Sequence, residues 1–286
     1  MLPGMARKPR IAIVGPGHLG TSLATALHRA GFVIAAIVGR ANGRSGQLAR
    51  KLAKQVRAGT SANFEADVVW FCVPDAEIAR AALDFARRLS WEKKVALHSS
   101  GALTSDSLKV LRSKGADVAS VHPLMTFVQG SRASFAGVPF AIEGDAAAVR
   151  VAKEITRNLG GNAYSVHKQD KPAYHAWGTF ASPLFTALLA TTEDVAALAG
   201  VKGNQAKWRM LPILRQTLLN YAALGAAAGF SGPIIRGDVG TVRKHLRVLR
   251  SAPAAREVYL ALARAALRYL PAKNKSRLKT VLGREA

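Results

Sequence analysis

Residues 10–31, RIAIVGPGHLGTSLATALHRAG, place three glycines between an apolar run and an amphipathic stretch. The four apolar residues 11–14 suit a buried parallel strand. Gly15, Gly17 and Gly20 then fall in the pattern G-x-G-x-x-G. Leu19, Leu23, Ala24, Leu27 and Ala30 recur at helical spacing, and Gly31 stands where a helix-ending glycine is favoured. In a strand–turn–helix of this kind the first glycine permits a tight turn. The second lets a pyrophosphate approach the backbone, and the third lets helix pack on strand. The helix N-terminus offers unpaired N–H groups and the positive end of its dipole to an anion. The turn Gly15, Pro16, Gly17, His18, Leu19, Gly20 therefore reads as the phosphate half of a dinucleotide site, and the alternative is a glycine-rich packing turn.

Alternation of apolar runs with helical patterns continues to about Val166. A second run, 32–38, ends at Gly39 and Arg40, and a polar helix is expected over 45–57. In an NAD site a carboxylate lies about 20 residues beyond the glycines, but that place holds Gly39, Arg40, Asn42 and Arg44. A guanidinium grips a 2′-phosphate that a carboxylate would repel, so NADP is expected over NAD, with Arg40 and Arg44 as its ligands. The other reading makes both arginines surface charges. The next strand, DVVWFCV, stops at Pro74, which places Val73 and Pro74 along the cofactor path. Strands over 95–97, 119–121, 139–142 and 162–166 follow, with helices over 76–89 and 145–159. This predicts a Rossmann-type, mostly parallel sheet domain spanning 1–166. From 167 to 286 the helical period dominates, predicting an all-α domain. Its helices are expected over 171–198, kinked at Pro183, then 204–228, 254–270 and 275–282.

The chain has 286 residues and a formal charge of +24. No uninterrupted apolar run approaches the roughly 20 residues of a membrane span, so none is expected. Cys72 is the only cysteine, which excludes an intramolecular disulfide and fits a reducing cytoplasm. The N-terminal segment lacks a signal-peptide pattern, and Met5 is an alternative start to Met1. Residues 242–286 carry Arg243, Lys244, Arg247, Arg250 and further cations against only Glu257 and Glu285. Such a face could bind nucleic acid, but helical spacing and the lack of interleaved aromatics favour solvated helix surfaces. Either way the field favours anionic cofactors and substrates.

Taken together, the glycine turn, DVVWFCVPD, LHSSG, SVHPLMTF, KPAYHA and GPIIRGD resemble a known family over about residues 10–270. The chain is similar to two-domain Rossmann-like oxidoreductases related to deazaflavin-dependent NADP reductases. Their helical domain, of a family of unknown function, is similar to the C-terminal domain of 6-phosphogluconate dehydrogenase, 3-hydroxyisobutyrate dehydrogenase and pyrroline-5-carboxylate reductase. The resemblance implies an α/β plus all-α architecture and pairing through the helical domain, which its large apolar faces, with Leu184 and Leu211 among them, also favour. One element departs from it. The helix opening with YHA carries Ser-Asn in the family pattern, whereas this chain has Ser182 and Pro183. Either Ser182 replaces the asparagine, or the catalytic pairing differs, or activity is weakened.

Hydride transfer to C=O or C=N needs a proton donor near the heteroatom, and histidine suits that role. His175 is the preferred donor. His98 would orient substrate alongside Ser99 and Ser100, which also line the cofactor, and His122 would help shape the substrate pocket. Arg236 could hold a substrate carboxylate with Asp238 nearby; alternatively Arg236 only pairs with an acid and Asp238 caps a helix. No metal-ligand spacing or G-x-S-x-G elbow is present. The expected function is an NADP-dependent oxidoreductase acting on a carbonyl or imine of a small anionic metabolite. The alternatives are an inactive dinucleotide-binding regulatory protein and a nucleic-acid binder.

Overall fold

The computed structural model describes residues 7–39, 44–52, 57–59, 64–129 and 134–283. The chain divides into two compact units, Met1–Thr179 and Phe180–Ala286.

In the first unit, β1 (Ile11–Val14), α1 (His18–Arg29), β2 (Ile34–Val38), α2 (Arg44–Leu52) and β3 (Arg57–Gly59) precede β4 (Val68–Phe71) and α3 (Asp75–Arg88). Then come β5 (Val95–His98), α4 (Lys109–Arg112), β6 (Asp117–Pro123), β7 (Pro139–Gly144), α5 (Ala146–Asn158), β8 (Asn162–Ser165) and α6 (Lys171–Ala181). The strands form one sheet in the order β3-β2-β1-β4-β5-β6-β7-β8. Every pairing is parallel except β6 with β7. Successive side chains of a strand face opposite ways, so β1 feeds two cores. Ile11 and Ile13 pack with Leu23 and Leu27 of α1 and Val151 and Ile155 of α5. Ala12 and Val14 pack with Ile78, Ala82 and Phe85 of α3. The chain leaves β1 for β2 on one side and reaches β4 on the other, so the carboxyl end of β1 is the switch point where open α/β sheets bind ligands.

Three expectations change. The polar helix over 45–57 ends at Leu52, and Arg57–Gly59 instead extends the sheet beyond β2. Parallel main-chain pairing with Ala36–Val38 fixes this strand, not any apolar pattern of its own. β7 runs antiparallel to β6, because no helix lies among the described residues between them to carry a crossover. The first unit also extends past the expected boundary at Val166, since Lys171 and Tyr174 of α6 are buried in it.

The second unit contains α7 (Pro183–Leu198), α8 (Asn204–Gly229), α9 (Pro233–Arg236), α10 (Val239–Val248), α11 (Pro253–Tyr269) and α12 (Lys275–Gly283). The expected kink is a break. One helix stops at Ala181, Ser182 leaves helical geometry at φ −130° and ψ −75°, and Pro183 starts the next at a position needing no N–H donor. Val242 and Leu246 of α10, Leu260, Ala263 and Leu267 of α11, and Leu278 and Leu282 of α12 form the core of this unit. Among the described residues, α7 buries none and α8 only Ala206. Within the segment Asn204–Arg236 an 18-residue stretch has a mean hydropathy of 1.3, enough by length and composition to cross a membrane, where the sequence predicts no such helix. Lys207, Arg209 and Arg215 charge the first part of the segment, and Gly225 leaves helical geometry at φ 75° and ψ 174°.

Candidate dinucleotide and proton-transfer site

The three glycines have separate physical reasons. Gly15 sits at φ 98°, a left-handed backbone that disfavours side chains. A Cβ on Gly20 would lie 2.1 Å from the Gly15 carbonyl oxygen, so only glycine lets α1 start this close to β1. A Cβ on Gly17 would meet nothing within 4 Å, leaving open space at the start of α1. Around this turn lies a groove of about 700 Å³, lined by Gly15, Pro16, Gly17, Gly39, Val73 and Pro74 among others. That volume is within the range of cofactor clefts, roughly 300–1,000 Å³. The turn thus fits a dinucleotide pyrophosphate: open space at Gly17, helix N–H groups beside it, and close packing behind. His18 is exposed and Leu19 half-buried at the first residues of α1. Arg40 and the Arg44 side chain lie outside the described residues.

The loop after β5 is held almost entirely by its own polar groups. His98 is fully buried; its Nδ1 accepts from the Ser100 N–H at 3.1 Å and its Nε2–H donates to the Thr104 carbonyl at 3.0 Å. Both ring nitrogens are committed to main chain, and burial holds the ring neutral, its pKa lowered from 6.5 to about 4. His98 therefore positions the loop, and with both ring nitrogens spent on main chain neither is left for the catalytic role expected of it. The Ser99 hydroxyl accepts from Trp70 Nε1–H at 2.8 Å. The Ser100 hydroxyl donates to Asp75 at 2.8 Å and accepts from the Ala102 and Leu103 N–H groups. Their side chains brace the loop at the carboxyl end of β5. Cys72 is a protonated thiol, pushed up to about 12 by burial.

At the end of this loop the structure brings two histidines onto one glycine. A Cβ on Gly101 would fall 2.8 Å from His175 Cδ2 and 2.9 Å from His122 Nε2. The two imidazoles stand edge to face, 6.4 Å apart. His122 Nδ1 shares a 2.6 Å hydrogen bond with the Tyr174 hydroxyl, leaving Nε2 without a partner among the described residues. Burial first, then the positive charges of Lys171 and His175, lower its pKa from 6.5 to about 4, so this ring is neutral at physiological pH. His175 is exposed, and among the described residues neither of its ring nitrogens is hydrogen-bonded.

Lys171 lies beneath this cluster, fully buried, with Nζ donating to the Ser120 hydroxyl at 2.7 Å and the Ser100 carbonyl at 3.1 Å. The Ser120 hydroxyl donates to the same carbonyl at 3.1 Å. Burial lowers the Lys171 pKa from 10.5 to about 8, opposed by the charges of Glu143 and Asp75. Glu143 accepts from the Ser105 N–H at 2.6 Å and hydroxyl at 2.8 Å. Lys171 and Tyr174, which the sequence offers as weaker substrate-binding candidates, join the cluster, with Gly101 against both imidazoles. The signal was present: Lys171, Tyr174 and His175 lie at i, i+3 and i+4, one face of a helix.

These depressed pKa values predict how stability follows pH. Between pH 6.5 and 4 the unfolded chain binds protons that His98 and His122 refuse in the fold, so stability falls with acidification, by about 3 kcal/mol for His98 alone. Between pH 8 and 10.5 the unfolded chain holds the proton that Lys171 has released, so stability rises with pH. Denaturant midpoints across this range are expected to show both limbs, with His98→Asn flattening the acid one and Lys171→Met the alkaline one.

Of the residues expected in the second unit, Asp238 caps α10. Its carboxylate accepts from the Thr241 N–H at 2.9 Å and hydroxyl at 2.7 Å, bonds that hold it below the usual carboxylate range. This satisfies the helix terminus and corrects the substrate-binding expectation for Asp238. Arg236, the last residue of α9, is exposed and makes no ion pair among the described residues. The Ser182 carbonyl accepts from the Thr186 N–H at 2.8 Å and hydroxyl at 3.0 Å, while its own hydroxyl makes no cap bond.

Residues 4–123 match the family model of a Rossmann-like domain, and residues 138–266 that of a domain of unknown function, DUF2520. No curated protein matches the sequence. Among solved structures, the Bacteroides fragilis protein BF3122, named provisionally as an NADP oxidoreductase, is 22% identical with a TM-score of 0.76, covering 90% of this chain and 97% of its own. Protein TM1727 from Thermotoga maritima is 23% identical with a TM-score of 0.70, covering 89% and 96%. An imine reductase from Pseudomonas sp. is 20% identical with a TM-score of 0.60, covering 91% and 94%. These likenesses show a shared fold. In sequence order the chain thus carries a match to a Rossmann-like domain followed by a match to a DUF2520 domain, in line with its sheet unit and its helical unit.

Proposed function

We propose that this protein is an NADP-dependent oxidoreductase that moves a hydride between the nicotinamide and a carbonyl or imine carbon of a small anionic metabolite. The observation that carries this reading is the sheet edge itself. The glycine turn follows β1, and the convergence of Gly101, His122 and His175 follows β5 and β6, at the carboxyl ends of neighbouring parallel strands. The names of the Bacteroides fragilis and Pseudomonas proteins, which share the fold, support the same class of chemistry.

Bound NADPH supplies the hydride. His175 hands a proton to the oxygen or nitrogen of the acceptor as the new C–H bond forms, then regains one from solvent. Neutral His122 holds the same heteroatom through Nε2, its ring fixed by Tyr174. The charge of +24 draws an anionic cofactor and substrate toward the chain. Arg40 and Arg44 are the proposed partners of the 2′-phosphate. An R40A/R44A variant is expected to lose at least about tenfold in preference for NADPH over NADH. Selectivity unchanged in paired titrations would remove these arginines from the cofactor site. Exposed Leu184, Leu211, Ile213 and Leu218 of α7 and α8 support pairing of two copies through the helical unit.

A further inference from the structure

We propose that the groove between α10 and α12 binds a compact oligophosphate. Arg243 and Arg247 of α10 and Arg250 in the turn that follows it recur at i, i+4 and i+7 and line this groove with Arg277 and Thr280 of α12. Val242, Leu246 and Leu278 of the same helices pack into the core, which fixes both helices around one volume of about 650 Å³ that Leu246 also lines. Among the described residues no carboxylate lines it, and Arg243, Arg247 and Arg277 make no ion pair. Guanidinium groups brought together without an acid repel one another, and an anion between them turns that repulsion into paired, charge-assisted hydrogen bonds.

The form of the site selects its ligand. From Arg243 to Arg250 the backbone rises about 10 Å, so the cations follow a row of phosphates better than a single one. No aromatic side chain lines the groove, so it offers no platform for stacking bases, and its volume is that of a small molecule. The basic C-terminal segment thereby resolves into a built cleft, independent of the glycine turn.

Calorimetric titration of the full-length protein with tripolyphosphate, in excess NADPH to keep the glycine turn occupied, tests this. Wild type is expected to bind one tripolyphosphate. R243A/R247A is expected to bind at least about tenfold more weakly, R243K/R247K to lose less, and NADPH affinity to be the same in all three. Equal tripolyphosphate affinity in wild type and R243A/R247A, or equal affinity for sulfate at matched ionic strength, would overturn the proposal. So would tighter binding of a single-stranded oligonucleotide that is lost in the same variant, since the groove would then be a nucleic-acid surface. Should the variants fail to fold, hydrogen exchange on wild type decides: protection of α10 and α12 by tripolyphosphate is expected, and its absence overturns the assignment.

Discussion

His175→Ala is expected to lower turnover by roughly 10²- to 10⁴-fold, the range for loss of a general acid, while NADPH affinity stays at the wild-type value. Three histidines lie near this edge of the sheet, and geometry separates them. His98 spends both nitrogens on main chain. His122 keeps Nε2 free, but burial lowers its pKa to about 4, so it carries almost no proton to give near neutral pH. His175 is exposed, and among the described residues neither of its nitrogens is hydrogen-bonded. The pH–rate profile discriminates further: the limb belonging to the proton donor disappears in His175→Ala and persists in His122→Asn. Gly101→Ala, whose Cβ would press within 3 Å of both rings, is expected to impair turnover without changing cofactor affinity. Full turnover in His175→Ala would remove this residue from the mechanism.

Two glycine substitutions in the fingerprint are expected to fail in opposite ways. In Gly20→Ala the added methyl has no room, 2.1 Å from the Gly15 carbonyl oxygen, so α1 must move away from β1. A loss of about 1–3 kcal/mol in stability is expected, and NADPH binding goes with it. In Gly17→Ala the methyl meets no protein atom within 4 Å, so the unfolding midpoint should stay near wild type. The space it fills is where the pyrophosphate approaches the backbone, and NADPH affinity is expected to drop at least about tenfold by exclusion and lost N–H contacts. Thermal melts and cofactor titrations on the two variants check the contrast. Wild-type NADPH affinity in Gly17→Ala would move the phosphate site elsewhere.

How far the sequence reveals this molecule depends on whether side chains or main chain decide each feature. Strands β1, β2, β4 and β5 are legible because parallel strands covered by helices on both faces need unbroken apolar runs. The three residues Arg57–Gly59 have no such run, and main-chain pairing alone makes them a strand. The reversal of β7 is likewise hidden, since an apolar strand looks the same in either direction. At the site, the chemistry of HSSG, HPL and KPAYHA is visible as residue types, but not which nitrogens are spent. Histidines at strand ends look alike until the Thr104 carbonyl and Ser100 amide are found on His98. Lys171 reads as a weaker substrate-binding candidate at the start of a helix, and its full burial against Ser100 and Ser120 is not visible in its residue type. Asp238 shows the opposite case, where local spacing to Thr241 already contains the cap.

The most direct measurement of the central claim is transfer of label from NADPH carrying deuterium on the transferable position of the nicotinamide C4. The full-length protein is incubated with this cofactor and a panel of small keto acids and cyclic imines, and the products are weighed by mass spectrometry. The account predicts that at least one substrate acquires a single deuterium at its former carbonyl or imine carbon, and that His175→Ala slows this while still binding NADPH. Cofactor that binds tightly and returns with its deuterium intact from every member of the panel would contradict it, leaving a dinucleotide-binding protein without hydride transfer.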